Sequence, residues 1–239
     1  MLGHINLSNI IYLDIETVPQ CAAYEELSDV HRVLWDKKAE SLLKGEPRSA
    51  ADIYQRAGIY AEFGRIVCIS LGVYAPNEEG KLRVKSFYGD DEVALLAGFS
   101  DALERFASKR QYYLCAHNGK EFDFPYIARR MVINGMPLPR ILDVAGRKPW
   151  EVPFLDTMEL WKFGDFKHYT SLHLLTTVLN IPTPKDDIDG SMVAEVYYTL
   201  GDVRRIASYC EKDVVAVAQI MRRYKGEPLL DANDIELVP

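Results

Sequence analysis

Four short apolar runs, set among longer stretches of helical spacing, are the feature that most constrains the fold of this chain. Residues 9–13 (NIIYL) and 65–75 (RIVCISLGVYA) are rich in β-forming residues and predict two strands. The alternating run 82–88 (LRVKSFY) follows the turn-like residues 77–81 and predicts a hairpin with the second strand. Residues 112–118 (YYLCAHN) predict a fourth, buried strand. A chain that mixes strands and helices in this way is expected to be an α/β domain.

Helical patterns separate and follow these strands. Residues 90–110 open with an acidic cap and end in basic residues, and residues 122–135 carry a proline in the first turn and end in Asn-Gly. The remainder is mostly helical, including 171–180 and 202–226. We therefore predict a mixed sheet with a three-strand meander, then alternating helix and strand, and a helical C-terminal half. This order resembles a ribonuclease-H-like core.

The segment from 19 to 64 is much longer than the roughly 4 to 6 residues of a usual connection. Its pattern predicts two helices, at 24–43 and 49–64, with a turn between them. We expect a single domain over residues 1–239 with a helical insertion at about 19–64, and the insertion is a candidate flap beside a functional cleft.

Composition limits the cellular setting. A hydrophobic content of 48% can fill a large core. The four cysteines form no C-x-x-C pair, which predicts free thiols in a reducing compartment rather than zinc ligands or disulfides. The apolar run before Asp14 is too short for a secretory signal, and no stretch approaches a membrane span. We expect a cytoplasmic protein with no membrane partner.

The net charge weighs against tight phosphate binding. There are 28 Lys and Arg against 35 Asp and Glu, a formal charge of −7. If four of these acids held two divalent cations, the added charge of +4 would change the net charge from −7 to −3, and the local field matters more than the net charge. Acidity therefore argues against tight or processive binding more than against catalysis. The chain also lacks G-x-x-x-x-G-K-[ST], which argues against a nucleotide switch or kinase.

Asp14 and Glu16 form the first motif, which the pattern places at the end of the first strand. Alternate residues of a strand point to one face, so both carboxylates can share a hard cation. The motif alone is weak, because residues 234–236 repeat it in a tail where no strand or helix is predicted. A pair of surface acids is the alternative.

The second motif lies where the fourth strand passes into a helix. It brings together Asn118, Phe122 and Asp123 beside a strand end, where α/β sheets bind ligands. The structural alternative is a turn at Asn118, a helix cap at Asp123 and an early helical proline at Pro125.

The third motif lies on the last long helix, where Tyr209 and Asp213 share one face at i and i+4. Tyr198 and Asp202 have the same spacing, but Gly201 interrupts the helical pattern between them, which makes that pair a decoy. A partly exposed helical pair is the alternative for Tyr209 and Asp213.

In this order the three segments resemble the exonuclease motifs of the DEDD superfamily, in its tyrosine branch. The resemblance is to the proofreading exonuclease domain of family B DNA polymerases and to stand-alone exonucleases related to it. Ser208 stands where the histidine branch would need His, so Tyr209 decides the branch. The resemblance implies that two Mg²⁺ or Mn²⁺ ions are held by four carboxylates, those of Asp14, Glu16, Asp123 and Asp213.

The resemblance also implies roles for neighbouring residues. Tyr209 would position the attacking water, whereas Thr17, Asn118 and Phe122 would contact the terminal nucleotide. Lys185 falls in a Lys-Asp segment that precedes the third motif and would lie near phosphate. Asp156 resembles a further acidic position near such sites, although a helix N-cap explains it equally well.

These features predict a two-metal 3′-5′ exonuclease that hydrolyses terminal phosphodiester bonds of single-stranded DNA and releases nucleoside 5′-monophosphates. Stacking on a terminal base tolerates any sequence, so little sequence preference is expected. An RNA-trimming exonuclease like ribonuclease D stays open, since its motifs are nearly the same. A catalytically silent nucleic-acid-binding module is the alternative from another class.

Overall fold

A computed structural model describes residues 2–75, 80–107, 111–165, 169–182 and 188–238. These residues contain a mixed sheet, whose strands are β1 (Ile10–Pro19), β2 (Gly64–Tyr74), β3 (Leu82–Tyr88), β4 (Tyr113–Ala116), β5 (Phe154–Asp156) and β6 (Ile235–Val238). The spatial order is β5-β4-β1-β2-β3-β6. The first three strands form the predicted antiparallel meander, and the other three pair in parallel with their neighbours. The predicted fold class is confirmed.

The α-helices are α1 (Asp29–Leu43), α2 (Glu92–Ala107), α3 (Asp123–Ile133), α4 (Thr157–Trp161), α5 (Leu172–Val178), α6 (Val193–Glu195) and α7 (Val203–Lys225). Their ends follow the sequence signals. The Asp202 carboxylate accepts a hydrogen bond from Arg205 N at the start of α7, and Gly226 ends that helix with φ +72°. Among the described residues, no helix is both long and apolar enough to cross a membrane.

The alternation of β1 divides the core into two layers. Ile11, Leu13 and Ile15 pack in the layer formed with α2 and α3, whereas Ile10 and Tyr12 pack in the layer formed with α7. Asp14 and Glu16 continue the second series, so both belong to the face that α7 covers. The alternation of side chains along β1 therefore means that α7, and not α2 or α3, faces Asp14 and Glu16.

Gly72 allows α7 to approach the sheet closely. A Cβ added there would lie 2.7 Å from Cγ1 of Val214 on α7. Real Cβ atoms essentially never approach so near, so Val214 or its surroundings would have to shift to admit a side chain here. Val214 of α7 thus packs directly on the backbone of β2, the strand that pairs with Asp14 and Glu16 of β1.

Two predictions about strands are wrong. The first strand does not end at residue 13 but runs to Pro19, so Asp14 and Glu16 lie inside it, followed by a register shift between Glu16 and Thr17. Acidic residues usually weaken a strand, but pairing with β2 overrides that local preference here. Residues 235–238, predicted to lack a strand, form β6 because β3 offers a free edge for parallel pairing.

The insertion is only partly as predicted. Its first half contains α1, whereas residues 49–64 form no α-helix and contain a 3-10 segment, Tyr54–Ile59. The 3-10 segment passes close to β1 at Gly58, where a Cβ would lie 3.0 Å from the carbonyl carbon of Val18. This approach leaves little room for a side chain at position 58.

The insertion has its own small core and is anchored to α3. Trp35 is fully buried in that core and donates a hydrogen bond to Ala50 O at 2.9 Å. Arg130 of α3 donates to Ala61 O at 2.8 Å and forms a buried ion pair with Glu92 at 2.6 Å. The ion pair with Glu92 fixes the Arg130 side chain in place. The hydrogen bond from Arg130 to Ala61 O then ties the end of the insertion to α3.

Candidate active site

The acidic residues of the first motif lie in the middle of the sheet. Asp14 is opposite Ser70 and Glu16 is opposite Cys68 on β2. Glu16 is only 8% exposed. Oxygen Oδ2 of Asp14 is buried and has no hydrogen-bond partner in the described part of the chain. A buried carboxylate oxygen without a donor is costly unless something else compensates its charge.

Asp123 joins the second motif to the first. It is the first residue of α3 and is 3% exposed. Its carboxylate accepts a hydrogen bond from the backbone N–H of Ile15, which lies between Asp14 and Glu16. Two segments more than a hundred residues apart in sequence therefore place three carboxylates around one stretch of β1.

Helix α7 brings the third motif over this group. The Cys210 thiol donates to the backbone oxygen of Asp14 at 3.3 Å, which fixes the helix on β1. Asp213 lies near enough to raise the pKa values of Asp14, Glu16 and Asp123, and it hydrogen-bonds to the Tyr209 hydroxyl. The predicted ligand residues and Tyr209 thus share one site, while their roles stay predictions.

Cys210 is a neighbour that sequence reasoning missed. Its sulfur and one carboxylate oxygen each of Asp14 and Glu16 all lie within 4.8 Å of one another. The available signal was its position three residues before Asp213, on nearly the same side of the helix.

Burial, and then the charges of neighbouring carboxylates, raise the pKa values of the acidic residues in this site. Burial raises the pKa of Asp14 well above its usual value, and Asp213, Glu16 and Asp123 raise it further. The pKa of Glu16 is raised by burial and then by Asp213. Burial raises the pKa of Asp123 to about 8, against the hydrogen bonds from its own N–H and that of Ile15. Without a cation the cluster resists full ionisation.

The chemistry of this group fits divalent cations. Asp14, Glu16 and Cys210 form a group of side chains close enough together to hold a metal ion. Carboxylate oxygens are the ligands that Mg²⁺ and Mn²⁺ prefer. The unpartnered oxygen of Asp14 and the mutual repulsion of the carboxylates are both relieved by positive charge at this position.

Tyr209 is a neutral hydroxyl rather than a base. Burial raises its pKa well above the usual value, and the negative charges of Asp213, Glu16 and Asp14 raise it further. It can therefore hydrogen-bond to a water molecule or a phosphate oxygen at neutral pH, but it cannot accept a proton as a phenolate.

The predicted nucleotide contacts flank the acidic group. Thr17 hydrogen-bonds to the Tyr126 hydroxyl, and the rings of Tyr126 and Phe122 are 5.3 Å apart. Asn118 is left-handed at φ +63°, and its Oδ1 is buried without a partner in the described part of the chain. Lys185 lies outside the described residues.

The remaining candidates have structural positions. Asp156 is the N-cap of α4 and accepts hydrogen bonds from Met158 N and Glu159 N. Gly201, at φ +66°, separates Tyr198 from α7 as expected. The Tyr198 hydroxyl donates to Pro19 O, and the Asp202 carboxylate caps α7 by accepting from Arg205 N. Both side chains of the decoy pair therefore have structural partners away from the acidic residues.

Comparison with known proteins identifies relatives of this architecture. A family model described as a predicted 3′-5′ exonuclease related to the exonuclease domain of PolB matches residues 59–225. A DNA polymerase of Pyrococcus glycovorans is 24% identical over 197 residues, which are 71% of this chain and 25% of that protein.

The structural comparison agrees at the level of the fold. The family B DNA polymerase from the archaeon Pyrobaculum calidifontis matches 90% of this chain and 24% of its own, with a TM-score of 0.53 and 17% identity. The chain therefore spans about a quarter of the length of both polymerases.

The raised carboxylate pKa values predict how stability depends on pH. Protonated Asp123 has a folded pKa of about 8 against about 3.9 when unfolded, so its contribution to stability is complete below pH ~4 and is lost as pH rises through ~8. The Tm of metal-free protein should fall between pH ~5 and ~9. Scanning calorimetry at several pH values, with chelator and then with saturating Mn²⁺, measures this change.

Asp123→Asn is the control, because its amide does not titrate and its Tm should depend less on pH. Mn²⁺ should raise the Tm of the wild type more at pH ~9 than at pH ~5, since protons compete with the cation. A metal-free Tm that rises over this range would contradict the assignment of a crowded carboxylate cluster.

Proposed function

The chain belongs to the family of predicted 3′-5′ exonucleases related to the exonuclease domain of PolB, and from this premise we propose that it removes nucleotides from the 3′ end of single-stranded DNA. It hydrolyses the terminal phosphodiester bond and releases a nucleoside 5′-monophosphate. The observation that carries the proposal is the hydrogen bond from Ile15 N–H to Asp123, which joins two acidic motifs beneath the helix that carries the third.

Four carboxylates hold the cations in this proposal, those of Asp14, Glu16, Asp123 and Asp213. When two Mg²⁺ or Mn²⁺ ions are bound, they neutralise the phosphate charge, lower the pKa of the attacking water and stabilise the leaving oxygen. The protein itself fixes the positions of the carboxylates through β1, α3 and α7. Cys210 contributes by holding α7 on Asp14.

Other side chains orient the substrate. The neutral Tyr209 hydroxyl, tied to Asp213, orients the water for attack on phosphorus. The Phe122 ring stacks on the terminal base, and Tyr126 supports both this ring and Thr17 from behind. Asn118 offers an unpaired amide oxygen to the sugar or base.

DNA is the favoured substrate because the relatives found carry the name DNA polymerase. Among the described residues, no contact distinguishes a 2′-hydroxyl, so an RNA substrate is the second outcome of the test. A silent binding module would release nothing.

End-labelled single strands of DNA and RNA with one sequence provide this test. With Mg²⁺ or Mn²⁺, the DNA labelled at its 5′ end should shorten from the 3′ end and yield mononucleotides, and chelator should stop the reaction. Asp14→Asn and Asp213→Asn should abolish turnover because each removes a charge that holds the cations. Faster trimming of RNA would favour the ribonuclease D-like alternative, and activity in these variants would refute the ligand assignment.

The decoy pair allows a matched test of the third motif. Tyr209→Phe removes a hydroxyl that orients water, so single-turnover cleavage of single-stranded DNA should slow by roughly 10²- to 10⁴-fold. Asp213→Asn should lose more activity. Tyr198→Phe and Asp202→Asn should keep nearly wild-type rates, because their contacts are to Pro19 O and Arg205 N. Equal losses in the two pairs would show that the third motif is misplaced.

We further propose that the insertion at 19–64 restricts the cleft to single strands or frayed ends. Its 3-10 segment lies against the nucleotide side of the site, where the Tyr126 hydroxyl donates to Gly58 O at 2.7 Å. The helix α1 is held in its own core around Trp35. In this proposal the insertion belongs to the same domain as the sheet and forms a wall of the cleft.

Loosening that wall should admit duplex ends. Trp35→Ala should destabilise the core of the insertion by roughly 3 to 5 kcal/mol, because it leaves a large cavity. The rate on blunt duplex DNA should then rise relative to the rate on single strands. Leu103→Ala, in the buried layer on α2, is the control and should leave this ratio unchanged. A folded Trp35→Ala protein with the wild-type ratio would contradict the proposal.

A further inference from the structure

Asp156 is a buried carboxylate with an unusual set of partners. It is 2% exposed and lies at the end of β5, opposite Ala116 at the end of β4. Oxygen Oδ1 accepts hydrogen bonds from Asn118 N at 3.0 Å, and Oδ2 accepts one from Lys120 N at 3.1 Å. Capping α4 needs only the bonds to Met158 N and Glu159 N. The two bonds to the 118–120 loop are therefore additional to the cap.

This loop leads directly into the acidic site. Its turn is closed by hydrogen bonds from Phe122 N to Asn118 O at 3.0 Å and from Phe124 N to Gly119 O at 2.9 Å. Asp123 lies between these two donors. The position of the Asp123 carboxylate beside Ile15 is thus set by a loop whose backbone N–H groups point at Asp156.

Neighbouring contacts hold the same two segments together. Lys120 forms an ion pair with Glu159 on α4. The His117 ring contacts the Thr157 hydroxyl through Nδ1 at 2.9 Å and Thr170 O through Nε2 at 2.8 Å. Because Nε2 faces a carbonyl, it carries the hydrogen, and Nδ1 can accept from Thr157. Among these contacts, those of Asp156 are the ones made to the backbone N–H groups of the 118–120 loop.

The chemistry of these contacts separates Asp156 from the cation-binding carboxylates. Its oxygens accept hydrogen bonds from four backbone N–H groups, so the hydrogen-bonding capacity of this buried side chain is met within the protein. Oxygen Oδ2 of Asp14, by contrast, has no donor in the described part of the chain. Asp156 therefore has no need of a cation, whereas Asp14 does.

We propose that Asp156 is a positioning residue of the exonuclease reaction, which sets Asn118 for the terminal nucleotide and Asp123 for the cations by holding the 118–120 loop. The inference rests on the proposed function. Partners one step removed from cation ligands commonly matter by about 10- to 100-fold in activity or affinity, and we expect kcat/KM to fall within that range when the loop contacts are lost.

The test separates the loop contacts from the helix cap. Asp156→Ser keeps a good N-cap side chain for α4 but is too short to bridge to the loop. Asp156→Asn keeps one carbonyl oxygen but turns an amide group toward backbone donors. Both variants should fold, and both should show faster amide hydrogen exchange at Asn118 and Lys120, weaker Mn²⁺ binding by calorimetry, and a lower kcat with a higher KM on single-stranded DNA.

Asp202→Asn is the matched control, since it alters an acidic cap on α7 that contacts no motif loop. It should leave exchange at Asn118 and Lys120, Mn²⁺ affinity, kcat and KM at wild-type values. The effects of Asp156→Ser and Asn118→Ala on KM should be less than additive if both act through the same loop.

Wild-type exchange and wild-type kcat/KM in a folded Asp156→Ser protein would overturn the proposal, as would a loss of the same size in Asp202→Asn. Absence of nuclease activity in the wild type would instead refute the proposed function. Exchange and Mn²⁺ binding would still decide whether Asp156 sets the loop and the cation site.

Discussion

The burial of several carboxyl groups in one site is the constraint on which the rest of this structure depends. Burial raises the pKa of Asp123 to about 8 from about 3.9, so ionising this group costs roughly 6 kcal/mol more in the folded protein than in the unfolded chain. Full burial of one large apolar side chain contributes roughly 1.5 to 3 kcal/mol. The contacts of α7 with the sheet, such as Val214, Val217 and Ile220, are therefore needed to hold that helix over the acids. The apolar core of this layer is what allows an acidic site to exist before any cation binds.

The cost of burying the carboxyl groups also explains why α7 packs so closely on the sheet. Gly72 lets the backbone of β2 meet Val214 directly, and the Cys210 thiol reaches the backbone of Asp14. A looser α7 would admit water, which would relieve the carboxylates but would also lower their attraction for a cation. If the proposed function holds, the site exchanges stability of the free protein for affinity toward cations, as functional sites often do.

Much of this arrangement follows from local signals in the sequence, and the exceptions have physical causes. The helical pattern of residues 202–226 was sufficient to predict α7, and the order of elements was sufficient to predict the fold class. The length of β1 and the existence of β6 were not predictable, because they depend on pairing with strands distant in sequence. The close approach of the insertion to β1 at Gly58 is likewise a contact between segments distant in sequence. The contacts of Cys210 with Asp14 O, and of Asp156 with the 118–120 loop, also join segments distant in sequence and could not be predicted from local patterns.

The insertion and the acidic site are connected through α3. The Tyr126 hydroxyl bonds to Gly58 O and Arg130 bonds to Ala61 O, and both side chains belong to α3. This helix begins with Asp123, so a displacement of the inner part of the insertion must either break two buried contacts or move the acid that meets Ile15 N–H. Breaking such contacts in a buried setting is costly. The part of the insertion around Gly58 and Ala61 is therefore tied to the same helix that positions Asp123.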